Sequence, residues 1–431
     1  MKIKIERLGI NGEGIASLND GKIGFVEYAL PGEVIEGTIY QNKAKFCRVK
    51  LESVEKPSKH RVAAPCPYFG VCGGCDVQHM YFSYQLEFKK LKVQDCLKKI
   101  AKIDFDIKEI ISANSYNYRN KVVFPVRFQD GKTVIGLFKK QSHQVVEIEN
   151  CLIADNKIVE AFKIIKNYLL NSNLVGFNEK TLKGDVKYFV LRHISNQILL
   201  TLVCTRKINF DNLYAILKSN FDAVGLSIVV SDNKDIMSGK YVHIAGIEAI
   251  ELEEFGIKYS IDNRGFLQVN NEIKTLLYKS VLEQIENNDI VIDAYSGAGL
   301  MSAIISKKCK TVSAIEINKS ACESAKNLVE RNNINNLTIY CADVKEKLGE
   351  CIEKTSNPVV ILDPPRAGCE KEVLQIIENK AKKIVYISCD PATLARDLSF
   401  FKTYYKIDKI TLFEMFPQTS HVETLVVLSR L

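Results

Sequence analysis

Three groups of residues have the types and spacing from which chemistry can be built. In Ser388-Cys389-Asp390-Pro391, an apolar strand over 384–387 runs into the start of a helix, so Cys389 falls where a helix amino terminus favours a thiolate. A single thiol is by default an inert core residue, but this one shares a sheet rim with two further groups. The segment Val291-Ile292-Asp293-Ala294-Tyr295-Ser296-Gly297-Ala298-Gly299 is an apolar strand entering a glycine turn, with a helix expected over 300–307. Bare backbone at Gly297 and Gly299 lets a phosphate or amino-acid moiety approach. Glu316 ends the next strand and is placed to accept both ribose hydroxyls of a nucleoside. Asp343 and Asp363 end the two strands after that, and Pro364 and Pro365 fix the Asp363 carboxylate at the pocket rim. Taken singly, Asp343 reads equally as a helix cap and Asp363 as a turn residue. No glycine loop ends in Lys-Ser or Lys-Thr, which excludes a nucleoside triphosphatase of that kind.

Four cysteines form the remaining group. Cys66, Cys72 and Cys75 lie close together among glycines, and Cys151 stands alone much later. Such a set suits a shared inorganic centre. Four thiolates also satisfy tetrahedral zinc, but five-then-two spacing is not a pair of CxxC knuckles. The spacing fits an iron-sulfur cluster better, and a four-iron [4Fe-4S] cluster on Cys66, Cys72, Cys75 and Cys151 is the expectation.

The chain that must position these groups has 431 residues, 46% hydrophobic and 26% charged. That excludes collagen, coiled coil and general disorder, and the length calls for two to four domains at roughly 100–200 residues each. With 59 Lys plus Arg against 51 Asp plus Glu, the formal charge is +8, which permits an anionic partner without requiring one. Thirteen scattered cysteines fit a reducing compartment. No run approaches the ~18 apolar residues of a spanning helix, and the start alternates like a strand rather than a signal peptide, so a cytoplasmic, monomeric protein without a membrane partner is expected.

Residues 1–54 read as short alternating strands broken by glycine turns, a small β-barrel with Lys43, Lys45, Arg48 and Lys50 interleaved. Such a face suits single-stranded RNA or is simply solvated. Residues 55–260 read as a central α+β domain carrying the cysteines, with a helix over 81–100. From 261 to 431, short unalternating strands at Ile290–Ala294, 311–315, 337–340, 358–362 and Lys383–Ser388 alternate with helices. The fold class is therefore α/β, a doubly wound, mostly parallel Rossmann-like sheet whose ligands bind at the strands' carboxyl ends.

Gly12-Glu13-Gly14-Ile15-Ala16, with the run 26–33, resembles the TRAM domain of RNA-modifying enzymes. Nearly the whole chain resembles the RNA uracil-5-methyltransferase family, the S-adenosylmethionine-dependent enzymes that make 5-methyluridine. The likeness rests on the barrel, the four cysteines, Phe266-Leu267-Gln268-Val269-Asn270, the glycine turn, Asp363-Pro364-Pro365-Arg366, the Cys389 segment and His421-Val422-Glu423-Thr424. Ser296 departs from it, where many relatives carry Cys. The resemblance implies a class I methyltransferase domain with Gln268, Tyr295, Glu316 and Asp363 around the methyl donor, Asp343 towards its adenine, Cys389 as nucleophile and Glu423 as base. Chemistry agrees with those roles. Carbon 5 of uracil becomes nucleophilic only after a thiolate adds at carbon 6, and a base must later remove the carbon-5 proton. Arg366 is placed to stabilise the enolate oxygen. The uracil must be unpaired or flipped out of its stack. Barrel and cysteines on one chain resemble the branch acting on ribosomal RNA of the 23S type, with transfer RNA as the alternative. A non-catalytic RNA-binding protein with a decayed fold is disfavoured because Cys389 and Glu423 are both present. A radical enzyme ranks last, since the CxxxCxxC loop is absent.

Overall fold

The computed structural model describes residues 1–431 and contains three sheets and a separate hairpin. The first sheet has six strands between Lys2–Lys4 and Phe46–Lys56. Side chains alternate as the period-2 pattern requires: Ile3, Ile35 and Val49 are buried while neighbouring charges point outward. The chain start bonds to both edges, Ile3 opposite Ile35 and Arg7 opposite Ile15, which closes the sheet on itself. Glu33, fully buried, ties this barrel to the linker. Burial alone would raise its carboxyl, but Arg61 (Nη2 to Oε2, 2.7 Å) and the N–H groups of Leu30 and Ser58 hold it below the usual range.

The central sheet has seven strands, with Val186–Ile194 between Lys121–Gln129 and Gln197–Cys204. Helices Asn156–Leu170 and Asp211–Asn220 pack on it over a core that includes Phe124, Phe162 and Phe189.

The third sheet has eight strands, in the spatial order Leu337–Cys341, Thr311–Glu316, Ile290–Ala294, Val359–Leu362, Lys383–Ser388, Glu423–Arg430, Tyr405–Phe413 and Glu109–Ile111. Its first five strands are parallel, as the apolar runs predict. Neighbouring residues enter different cores, Val291 one and Ile292 the other, so both faces are covered and no polar alternation appears in the sequence. The last three strands do not follow from the local pattern. Glu423–Arg430 runs antiparallel to both neighbours, and Glu109–Ile111 joins the far edge from within the expected central domain. No helix is long and apolar enough to cross a membrane.

Helix Phe82–Cys96 continues into a π-helical turn, Leu97–Ala101, and this unit packs against helix Pro391–Phe401. Lys89, on that helix, forms an ion pair with Glu414, and both side chains are buried. Lys89→Ala strands an uncompensated carboxyl and should cost about 3–5 kcal/mol in urea unfolding, whereas Lys89→Met with Glu414→Met should recover most of it. Equal losses in the single and double variants would show that the pair does not join these elements.

Candidate active site

A cavity of about 450 Å³ opens at the carboxyl ends of the parallel strands. Gln268, Tyr295, Gly297, Asp363, Arg366, Cys389 and Glu423 all line it. Distant in sequence, Cys389 and Glu423 meet through strand register. Lys383–Ser388 runs towards the cavity and Glu423–Arg430 runs away from it, with Ser388 opposite Thr424. The residue after one strand therefore stands beside the first residue of the other.

The turn after Ile290–Ala294 is tight enough to hold Tyr295 at φ 67°, a left-handed conformation uncommon for a residue with a side chain. Gly297 (φ 56°) has open space where a Cβ would be, as an approaching ligand requires. Gly299 does not serve that purpose. It is at φ 76°, a Cβ there would meet Ala325 at 2.9 Å, and it does not line the cavity, so its role is helix packing. Glu316 accepts N–H bonds from Gly297 (2.9 Å) and Asn318 (2.7 Å), bracing the turn from the next strand. Asp343 caps helix Val344–Glu353 by accepting from the Lys345 N–H, and its charge is felt by Tyr295 on the cavity wall. The Gln268 loop is held from the central domain: Asn120 donates to the carbonyls of Gln268 (3.0 Å) and Val269 (2.8 Å).

Sequence reasoning missed Asp293. It is buried, accepts a hydrogen bond from Ser302, and is pushed up to about 7 by burial. A lone acid inside an apolar strand was the available signal. Burial, then the Asp293 charge, also raises Asp363, although Asp363 opens to the cavity and water reaches it. Burial, then Asp363, raises Glu423 well above the usual carboxylate range, against the pull of Arg366.

Cys389 differs from expectation. Burial, then Glu423, pushes its thiol up, and Arg366 only partly offsets them. The helix amino terminus does not activate it because Asp390 takes the free N–H groups of Ala392 (2.9 Å) and Thr393 (3.0 Å) and sets a carboxylate there.

Cys66, Cys72, Cys75 and Cys151 line a second cavity of about 400 Å³ with Phe69, Val122, Ile148 and Ile153. Burial raises Cys72 to about 11 and Cys75 to about 12, with the neighbouring thiols adding to it. None of the four is in a disulfide. No three His, Cys, Asp or Glu side chains converge closely enough for one metal ion, as tetrahedral zinc at about 2.3 Å from each sulfur demands.

Residues 81–431 match the family described as tRNA (Uracil-5-)-methyltransferase. The chain belongs to this family. Residues 1–48 match the TRAM domain. Similar proteins include an uncharacterized RNA methyltransferase of Clostridium tetani, 36% identical over 99% of this chain and 95% of that one, and another of Listeria innocua, 32% identical over 100% and 97%. Among solved structures, the Pyrococcus abyssi tRNA (uracil-54, C5)-methyltransferase in complex with S-adenosyl-L-homocysteine superposes with a TM-score of 0.79 at 27% identity, covering 99% of this chain and 100% of that one. The protein is thus an S-adenosylmethionine-dependent RNA (uracil-5-)-methyltransferase.

For this methyltransferase the clustered acids have a thermodynamic consequence. The folded state holds a proton on Asp293 that the unfolded chain, at 3.8, has released, so that stability is full below pH ~4 and is lost as pH rises through about 7. Asp293→Asn should flatten the fall in unfolding free energy between pH 4.5 and 7.5, and an unchanged slope would place the shifted proton elsewhere. Gly299→Ala should lower the melting temperature more than Gly297→Ala, whereas only the latter should weaken S-adenosylmethionine binding beyond its effect on stability. The reverse order would mean that the roles of the two glycines are exchanged.

Proposed function

We propose that the protein methylates carbon 5 of a uridine in ribosomal RNA of the 23S type, with Cys389 as nucleophile and Glu423 as base. The observation that carries the two catalytic roles is the shared cavity lip, a thiol and a carboxyl on adjacent strand ends with Arg366 acting on both, while the ribosomal substrate rests on the barrel and the four cysteines standing on one chain. The Cys389 sulfur adds to carbon 6 of a flipped uracil, and Arg366 steadies the enolate oxygen. Bound S-adenosylmethionine supplies the methyl group that carbon 5 takes up. Glu423 then removes the carbon-5 proton, the ring double bond re-forms and the carbon–sulfur bond breaks. Gln268, Tyr295, Gly297 and Asp363 line the cavity and would hold the donor, Glu316 would take its ribose from the end of the next strand, where it also braces Gly297, and Gly299 and Asp343 shape the turn and helix beside it.

Burial and the neighbouring carboxylates shift both reacting groups up, so each gives up its proton less readily than the free side chain does. Activity should therefore rise with pH above the usual carboxylate range, and kcat/KM that is flat from pH 5 to 8 would contradict the assignment. Cys389→Ala should abolish both methylation and any covalent RNA adduct. Glu423→Gln should stall as a methylated protein–RNA adduct that survives denaturing electrophoresis. Normal turnover by either variant overturns the mechanism.

Transfer RNA is the second reading, favoured by the full-length likeness to the Pyrococcus abyssi enzyme. Mapping 5-methyluridine in ribosomal and transfer RNA from cells with and without the protein separates the two.

The residues around the second cavity fit a [4Fe-4S] cluster. Four unpaired thiols face a largely apolar space, and N–H groups point at sulfur, among them Gly74 on Cys72 (3.4 Å). Such a centre would supply cross-linking, because this methyl transfer has no net redox step. Anaerobically purified protein should contain about four iron atoms with matching sulfide. Stoichiometric zinc in colourless protein would overturn this.

A further inference from the structure

The loop leading into Glu423 is almost wholly buried: Glu414, Met415, Pro417, Gln418, Thr419 and Ser420 are all out of water. A buried loop must find partners for its backbone polar groups, and this one takes them from the amino-terminal half of the chain. The Gln418 carbonyl accepts from the N–H groups of Asp76 (3.0 Å) and Val77 (3.2 Å). The Gln418 N–H donates to Gln85 Oε1 (3.2 Å), and the Gln85 amide donates to Gln418 Oε1 (3.0 Å). The Asp76 carboxylate accepts from Ser420 (N, 3.5 Å; Oγ, 3.4 Å). Gln418 sits at φ 68°, a conformation that persists only where the surroundings over-determine it. The helix that carries Gln85 also packs against helix Pro391–Phe401, but the hydrogen bonds of the clamp itself go to none of Cys389, Arg366 or the glycine turn.

We propose that Gln85, Asp76 and Gln418 are positioning residues that set the Glu423 carboxylate, so that the segment bearing Cys72 and Cys75 governs the proton-removal step rather than methyl transfer. This rests on Glu423 being the base. In that step the carbon-5 proton passes to the Glu423 carboxylate, the C5–H electron pair becomes the C5–C6 double bond, and the C6–S pair leaves as the Cys389 thiolate. A base displaced by a fraction of an ångström slows this step and leaves the earlier addition and methyl transfer intact.

The test is a single-turnover assay on the full-length protein, with saturating RNA and donor labelled in its methyl group. It follows total RNA methylation and the methylated adduct on denaturing gels for Gln85→Ala and Asp76→Ala. Methylation should stay within about threefold of the unsubstituted protein while the adduct resolves about tenfold or more slowly, the scale of misplacing a catalytic group. Adduct resolving at the normal rate, or both steps slowing alike, would overturn the proposal. If either variant fails to fold, Gln418→Gly, which accepts φ 68° but lacks the side-chain amide, carries the same expectation. Glu423→Gln in the same assay reports on the base itself: if its adduct resolves normally, the base assignment fails. A stalled Glu423→Gln beside a normal Gln85→Ala refutes only the positioning role.

Discussion

The ion pair of Lys89 with Glu414 lies where the chain leaves strand Tyr405–Phe413, and the geometry of the catalytic cavity hangs on that point. Two charges held away from water are costly, and their mutual attraction offsets that cost only in good geometry. Lys89 also donates to the Phe416 carbonyl (3.1 Å), which begins the bonding of the buried loop. Tyr118 donates to Pro417 O (3.0 Å) and Lys92 to Ser420 O (2.8 Å), continuing it. The loop that follows delivers Glu423 to the cavity, with Phe416 in the cavity wall. Helix Phe82–Cys96, the cysteine segment and the C-terminal sheet thus form one mechanical unit, and their separation in sequence does not correspond to a separation in space.

Within the cavity, electrostatics are set by an excess of acids. Burial raises the proton affinity of Asp293, Asp363 and Glu423, Asp293 adds to it at Asp363 and Asp363 at Glu423, and Arg366 opposes the rise at Glu423 and Cys389. An arrangement that raises the proton affinity of carboxyls is tolerable in a site that receives a sulfonium donor, because the donor's positive charge favours the ionised carboxylates. Asp390 at the helix start works in the same direction, withholding from Cys389 the positive end that would activate it without substrate.

The central domain supports the donor side as the cysteine segment supports the base. Asn120 holds the Gln268 loop, Lys121 donates to the Asn263 carbonyl (2.7 Å), and Arg192, fully buried, donates to Gly265 O (2.7 Å). The loop that carries Gln268 therefore takes its shape from strands outside the methyltransferase sheet. The central sheet braces one half of the cavity wall and the helix with the cysteine segment braces the other, and the segment Tyr118–Asn120 bonds to both, to Pro417 on one side and to the Gln268 loop on the other.

Much of this is legible along the chain. Parallel strands covered on both faces read as short apolar runs, the barrel reads as alternation, and chemistry-bearing residues at strand ends mark the cavity rim, so Cys389, Asp363 and the glycine turn can be located from residue order alone. Periodicity is local, however, and pairing between distant segments is not. Only the tertiary structure decided that Glu423–Arg430 turns back beside Lys383–Ser388 and that Glu109–Ile111 closes the sheet edge. It also decided the charge states. A residue's type is fixed by sequence, but its proton affinity follows from which carboxyls and guanidinium surround it, which is why Asp293 reads as an ordinary strand residue and Cys389 as a ready thiolate when the packing around them is left out.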